Sequence, residues 1–152
     1  MRGGFAFILW VALWPVANTR NPAADFPAQS SQAASAAPVT LDYEFFKTQV
    51  QPIFLAKRPG HARCVACHTS GTPLRLQPVS PGTAWNEEAS RKNFEAVRRV
   101  VVPGSSQSRL LIHALDEQAG GDFYHSGGKH WSSQSDAEWQ TLKAWVMGGA
   151  AK

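Results

Sequence analysis

Cysteine is nearly absent from this chain: 2 of 152 residues, both inside Arg63-Cys-Val-Ala-Cys-His68. So small a supply excludes a disulfide-stapled scaffold, and no second cysteine pair stands at the spacing of a zinc finger or ribbon. Charge is also scarce and nearly balanced. With 15 Lys and Arg against 11 Asp and Glu the formal net charge is +4, and no basic stripe interleaved with aromatics marks a nucleic-acid surface. Apolar runs are short as well. The longest, Phe5 to Ala17, follows Arg2 and contains Pro15, and it falls short of the roughly 20 residues that span a bilayer. It reads as the hydrophobic middle of a secretory signal, with residues 1–24 as the leader. The cleavage position is poorly marked, so membrane attachment through an uncleaved leader stays open.

Residues 25–39 are Ala, Pro, Ser and Gln with one large apolar side chain, Phe26. That is too little to bury against the entropy of ordering, and it reads as a flexible tether. The folded part is expected over 40–152, about the smallest size at which one core is comfortable.

Within it there is no alternating strand pattern and no βαβ unit, so the expected class is all-α with long loops. Phe46, Val50, Ile53 and Phe54 have helical spacing over 41–57, with Thr40 as the expected N-cap and Pro52 as a kink. A second helix is expected from Asn86 or Glu87 to about Val101, with Phe94, Val97 and Val101 inward. A third, capped by Ser105 or Ser106, is expected to reach Leu115. The last is the clearest: a capping box Ser135-Asp-Ala-Glu138, the stripe Trp139, Leu142, Trp145 and Val146, and a Gly148-Gly149 stop. Between the third and last helices, 119–133 has no period and four glycines.

The cysteine motif admits four chemistries. A disulfide between residues three apart closes too short a loop to stabilise much. Zinc needs further ligands that the spacing does not supply. A redox dithiol needs a helix following a strand. Covalent haem attachment uses every residue: Cys64 and Cys67 form thioethers with the two porphyrin vinyl groups, and His68 is the proximal iron ligand.

With CVACH, the elements VVPGSSQSRLL and SDAEWQTLKAWVMGGA make about 43–150 resemble a class I cytochrome c domain, more narrowly the planctomycete-type cytochrome c family. The resemblance implies one covalently held haem c, first and last helices crossing at its edge with Phe45 or Phe46 against Trp145, and an exported, periplasmic carrier of single electrons, not an enzyme. Its implied partners are redox proteins, a dehydrogenase or respiratory complex among them, with no nucleic acid. The chain departs from the wider class in lacking a Met-Pro-Pro loop; its one methionine after the leader, Met147, ends the last helix and reads as packing. His125, in an His-x-Gly-Gly-Lys element of the narrower family, is the expected distal ligand, His130 the alternative and His113 the third. His61 reads as a solvated loop residue. Arg63, Arg75 and Lys129 are candidates for the haem propionates. Two other functions remain open: a five-coordinate haem protein that senses ligands or reduces peroxide, and a periplasmic thiol oxidoreductase.

Overall fold

The computed structural model describes residues 37–151. The expected leader, 1–24, and most of the expected tether, 25–36, lie outside the described residues. Among the described residues no helix is long and apolar enough to cross a membrane.

The described part is helical, with no strand. Five α-helical segments occur: α1 (Tyr43–Phe45), α2 (Cys64–Cys67), α3 (Glu87–Arg98), α4 (Arg109–Ile112) and α5 (Ala137–Val146). Helix α1 runs straight on into a π-helical turn, Phe46–Val50, and a 3-10 turn, Gln51–Phe54. Pro52 has no N–H to donate back along the helix and its ring crowds the preceding turn, so regular α geometry gives way around it. The expected kink is present as this change of winding.

Caps fall slightly later than expected. Asp42, not Thr40, caps α1, and Asp136, not Ser135, caps α5 by accepting from Glu138 N at 2.9 Å and Trp139 N at 3.3 Å. A carboxylate is the stronger acceptor for free amides at a positive helix end. The shift also releases Glu138 from a capping box for a different task, described below. The third helix is only Arg109–Ile112 long; Ser108 turns its hydroxyl back to accept from Val102 N at 2.9 Å, and Leu115 leaves the helix to form an isolated parallel bridge with Trp131.

The core is one cluster built around the crossing of the first and last segments. Phe46, Trp145 and Val146 have no exposed surface, and the Phe46 and Trp145 ring centroids lie 5.4 Å apart, the expected contact. Trp145 Nε1 donates to Asp42 O at 2.8 Å, so the indole N–H is satisfied as it is buried. Trp139 does the same through Leu111 O at 3.0 Å, which binds α5 to α4.

Helix α3 packs differently from its apolar pattern. Its most buried residues are Ser90, Asn93 and Val97, while Phe94 is only partly buried. Asn93 Oδ1 accepts from Gln77 N at 2.7 Å, Asn93 Nδ2 donates to Gln51 Oε1 at 3.4 Å, and Gln51 Nε2 donates to Ser90 Oγ at 2.9 Å. One asparagine therefore joins the 3-10 turn, the loop at Gln77 and α3. Removing a partner from a buried network leaves the others desolvated, at about 1–3 kcal/mol each. The near-isosteric Asn93→Leu is expected to cost at least about 2 kcal/mol in urea unfolding. An unchanged urea midpoint would show that the network contributes nothing.

Candidate functional site

A cavity opens between the cysteine motif, the loop after it, α4 and the 125–131 loop. Cys64, Cys67, His68, Thr72, Leu74, Leu110, His113, His125, His130 and Trp131 are among the residues that line it. Ordinary local physics puts each there. Arg63 ends extended backbone, a single turn of helix carries Cys64 to Cys67, and His68 closes that turn with its N–H on Cys64 O at 3.0 Å. The chain then folds back under the imidazole, with Leu76 N donating to His68 O at 2.6 Å. Across the cavity, His130 N donates to Ala114 O and Asp116 N to Trp131 O, both at 2.8 Å, fixing the glycine-rich loop on the end of α4. Gly121 is required at this crossing. A Cβ there would stand 1.9 Å from Leu115 O.

His68 and His125 face each other with rings nearly parallel, 12° apart, and centroids 6.2 Å apart. His68 Nδ1 lies 3.1 Å from Thr72 Oγ1 and 3.2 Å from Leu74 O, and the Thr72 hydroxyl itself donates to Leu74 O. His125 Nδ1 lies 2.6 Å from Gly128 O, in a turn closed by Gly128 N on His125 O. A carbonyl only accepts, so each ring carries a proton on Nδ1, and in the neutral tautomer this leaves the lone pair on Nε2. An imidazole oriented through one nitrogen by a carbonyl is the arrangement of a histidine that ligates through the other.

The other histidines gather nearby. His113 is held through Nδ1 by Asp122 Oδ2 at 2.8 Å, and its ring lies 4.8 Å from that of His125. The hydrogen bond from His113, with Arg109 and Lys129 close by, holds the Asp122 carboxyl below its usual range. His130 lies 5.7 Å from His125 and 4.9 Å from His61, centroid to centroid. His61 is thus half-buried in the cluster, not a solvated loop residue as its sequence context suggests. Burial lowers His125 and carries His130 from 6.5 to about 4; Nδ1 of His130 is buried with no partner.

The two cysteines are not joined to each other; Cys67 is exposed and Cys64 partly so. Burial pushes the Cys64 thiol up despite the nearby Arg58 guanidinium, whereas a dithiol oxidoreductase needs its attacking thiol pushed down. Among the described residues no group of three or more His, Cys, Asp or Glu is placed to hold a bare metal ion, so Cys64, Cys67 and His68 gain no further zinc ligand. No protein-family model, curated protein or solved structure matches this chain.

Of the remaining expected residues, Arg63 lines the cavity, while Arg75 lines a separate groove. Lys129 is turned away to donate to the carbonyls of His113 and Asp122. Met147 is 45% exposed at the end of α5 and does not line the cavity. Sequence reasoning missed Arg58, Thr72, Arg109 and Asp122. Arg58 is the most consequential: Nε donates to Glu138 Oε2 at 2.7 Å, Nη2 reaches the same oxygen, and Trp131 Nε1 donates to it at 3.3 Å. The guanidinium also lies over the Trp131 ring at 5.3 Å. Arg58 and Glu138 are 80 positions apart, and no local pattern reveals such a pair. Thr72, four residues after His68, is the one that a search for partners of the histidine would find.

The depressed His130 has a measurable consequence. Between its unfolded value of 6.5 and its folded value of about 4, the unfolded chain binds more protons, so stability rises with pH across that window and falls as pH drops through it. His125 acts in the same direction. Denaturation midpoints from pH 7 to pH 4.5 are expected to fall, and His130→Phe is expected to flatten the slope; an identical slope in the variant would remove His130 as its source.

Proposed function

We propose that the chain is an exported monohaem c-type cytochrome that carries single electrons. Cys64 and Cys67 hold the haem through thioethers, His68 is the proximal ligand and His125 the distal one. The observation that carries the reading is the facing pair His68 and His125. Two imidazoles held at this separation would leave room for one metal ion between them. The centroid separation of 6.2 Å is the quantity that supports such a pair. Each ring already has its Nδ1 committed to a carbonyl, and both cysteines border the same cavity. A haem also asks the protein for only two axial ligands, so the lack of a three-ligand cluster is no obstacle to it.

The bound haem would supply the one-electron couple; the chain's residues set its surroundings. Two imidazoles favour the ferric state relative to a histidine and methionine pair, which predicts a low reduction potential. Thr72 and Leu74 O hold the His68 Nδ1 proton, which orients the ring and raises its basicity. Trp131, Phe54 and Leu110 line the cavity and limit water within it. A class I cytochrome c fold accords with the crossing of α1 and its continuation over α5, and with the all-helical chain. Export, the periplasmic location and a redox protein partner follow from the same reading. No acid, base or nucleophile is required, so the protein is proposed as a carrier and not an enzyme.

Visible spectra of the exported protein test this. The reduced protein is expected to show a covalently bound c-type spectrum that carbon monoxide leaves unchanged, and His125→Ala is expected to open the sixth position so that carbon monoxide binds at once. Immediate binding by the wild type would support the five-coordinate alternative instead. If only His130→Ala opens the site, the distal ligand is His130.

A further inference from the structure

A second concavity lies between the loop that passes beneath His68 and the outer face of α3. Arg75, Arg91, Lys92 and Arg99 line it, with Glu95 as the one carboxylate. Most charges here have local partners: Arg91 pairs with Glu87 at 2.8 Å, Lys92 with Glu88 at 2.6 Å, and Glu95 with Arg98 at 3.0 Å. Arg75 and Arg99 are exposed and have no ion-pair or hydrogen-bond partner for their guanidiniums among the described residues. The groove therefore presents two uncompensated guanidiniums beside two more cations, in a chain whose total excess is only +4.

Its chemistry narrows the occupant. No aromatic ring lines the groove, so it lacks the stacking platform on which single-stranded nucleic acid is held. Nothing larger than Pro73 and Ala96 is there to enter a bilayer. Guanidiniums do match carboxylates, in paired and planar geometry. Pro73 borders both the groove and the cavity that holds His68, so a protein seated in the groove reaches the site from the proximal side.

We infer that the groove is the docking surface for an acidic segment of the partner protein, with Arg75 and Arg99 as its anchors. This rests on the electron-carrier reading for the partner's identity, but the contact itself is testable without electron transfer. The probe is a fluorescein-labelled oligoglutamate peptide, titrated with the full chain at low ionic strength and followed by anisotropy. Arg75→Gln/Arg99→Gln is expected to weaken binding about tenfold. The control Lys57→Gln/Lys143→Gln removes the same charge from positions that do not line the groove, and is expected to change binding by about twofold at most. Both doubles alter surface side chains, and circular dichroism verifies that they fold.

Equal weakening in the two doubles would mean that net charge alone attracts the peptide, and would overturn the assignment. So would absence of binding by the wild type, or displacement by inorganic phosphate where chloride of equal ionic strength is inert, which would mark a small-anion site. The visible spectrum of the same sample reports haem separately, so failure of docking and failure of the cytochrome reading are distinguishable.

Discussion

The contact between Phe46 and Trp145 closes this chain. The two rings come from opposite ends of the described domain, are wholly buried and lie 5.4 Å apart. Truncating a buried aromatic costs about 3–5 kcal/mol in typical cores, a large share of the stability available to so small a domain. The consequence is geometric as well as energetic. With the first segment crossing α5, the intervening chain forms a loop whose two halves face each other, and the cysteine motif and the 125–131 loop become opposite walls of one cavity.

A second tie joins the two sides of that cavity. Arg58 and Glu138 join the segment just before the cysteines to the first turn of α5, and Trp131 shares the same carboxylate. The pair is part-buried, with 12% of the Arg58 and 33% of the Glu138 side chain exposed. Removing Glu138 would leave the better-covered Arg58 guanidinium unpaired, so the pair acts more on position than on net stability. It ties the segment before Cys64 to the Trp131 side of the cavity, which both residues line. The acid-base character of the site follows from the same enclosure. Five histidines share one region, and burial favours the neutral forms of His125 and His130, the form in which an imidazole can ligate.

Much of the helical plan was readable from side-chain spacing. The stripe Trp139, Leu142, Trp145 and Val146 is buried as its period requires, α3 begins after Asn86, and 119–133 is irregular where glycine crowds the sequence. What was not readable depended on long-range pairing. The inward face of α3 is polar at Ser90 and Asn93 because Gln51 and Gln77 N–H come to meet it, and spacing within the helix carries no trace of those partners. Glu138 resembled half of a capping box until Arg58, 80 positions away, claimed it. Among the site residues, Cys64, Cys67, His68, His125 and His130 do converge on one cavity. Arg75 and Lys129 looked equivalent as free cations, and only the fold separates an arginine on another surface from a lysine already occupied by two carbonyls.

The haem proposed here would be held by covalent bonds to Cys64 and Cys67. Intact mass spectrometry of the exported, denatured protein, with thiol alkylation and peptide mapping, tests it most directly. The expected result is a mass increase of one haem that survives denaturation, located on the peptide containing Cys64 and Cys67, with neither sulfur open to alkylation. An unmodified chain with two alkylatable cysteines, from a host that matures a control c-type cytochrome, would contradict it.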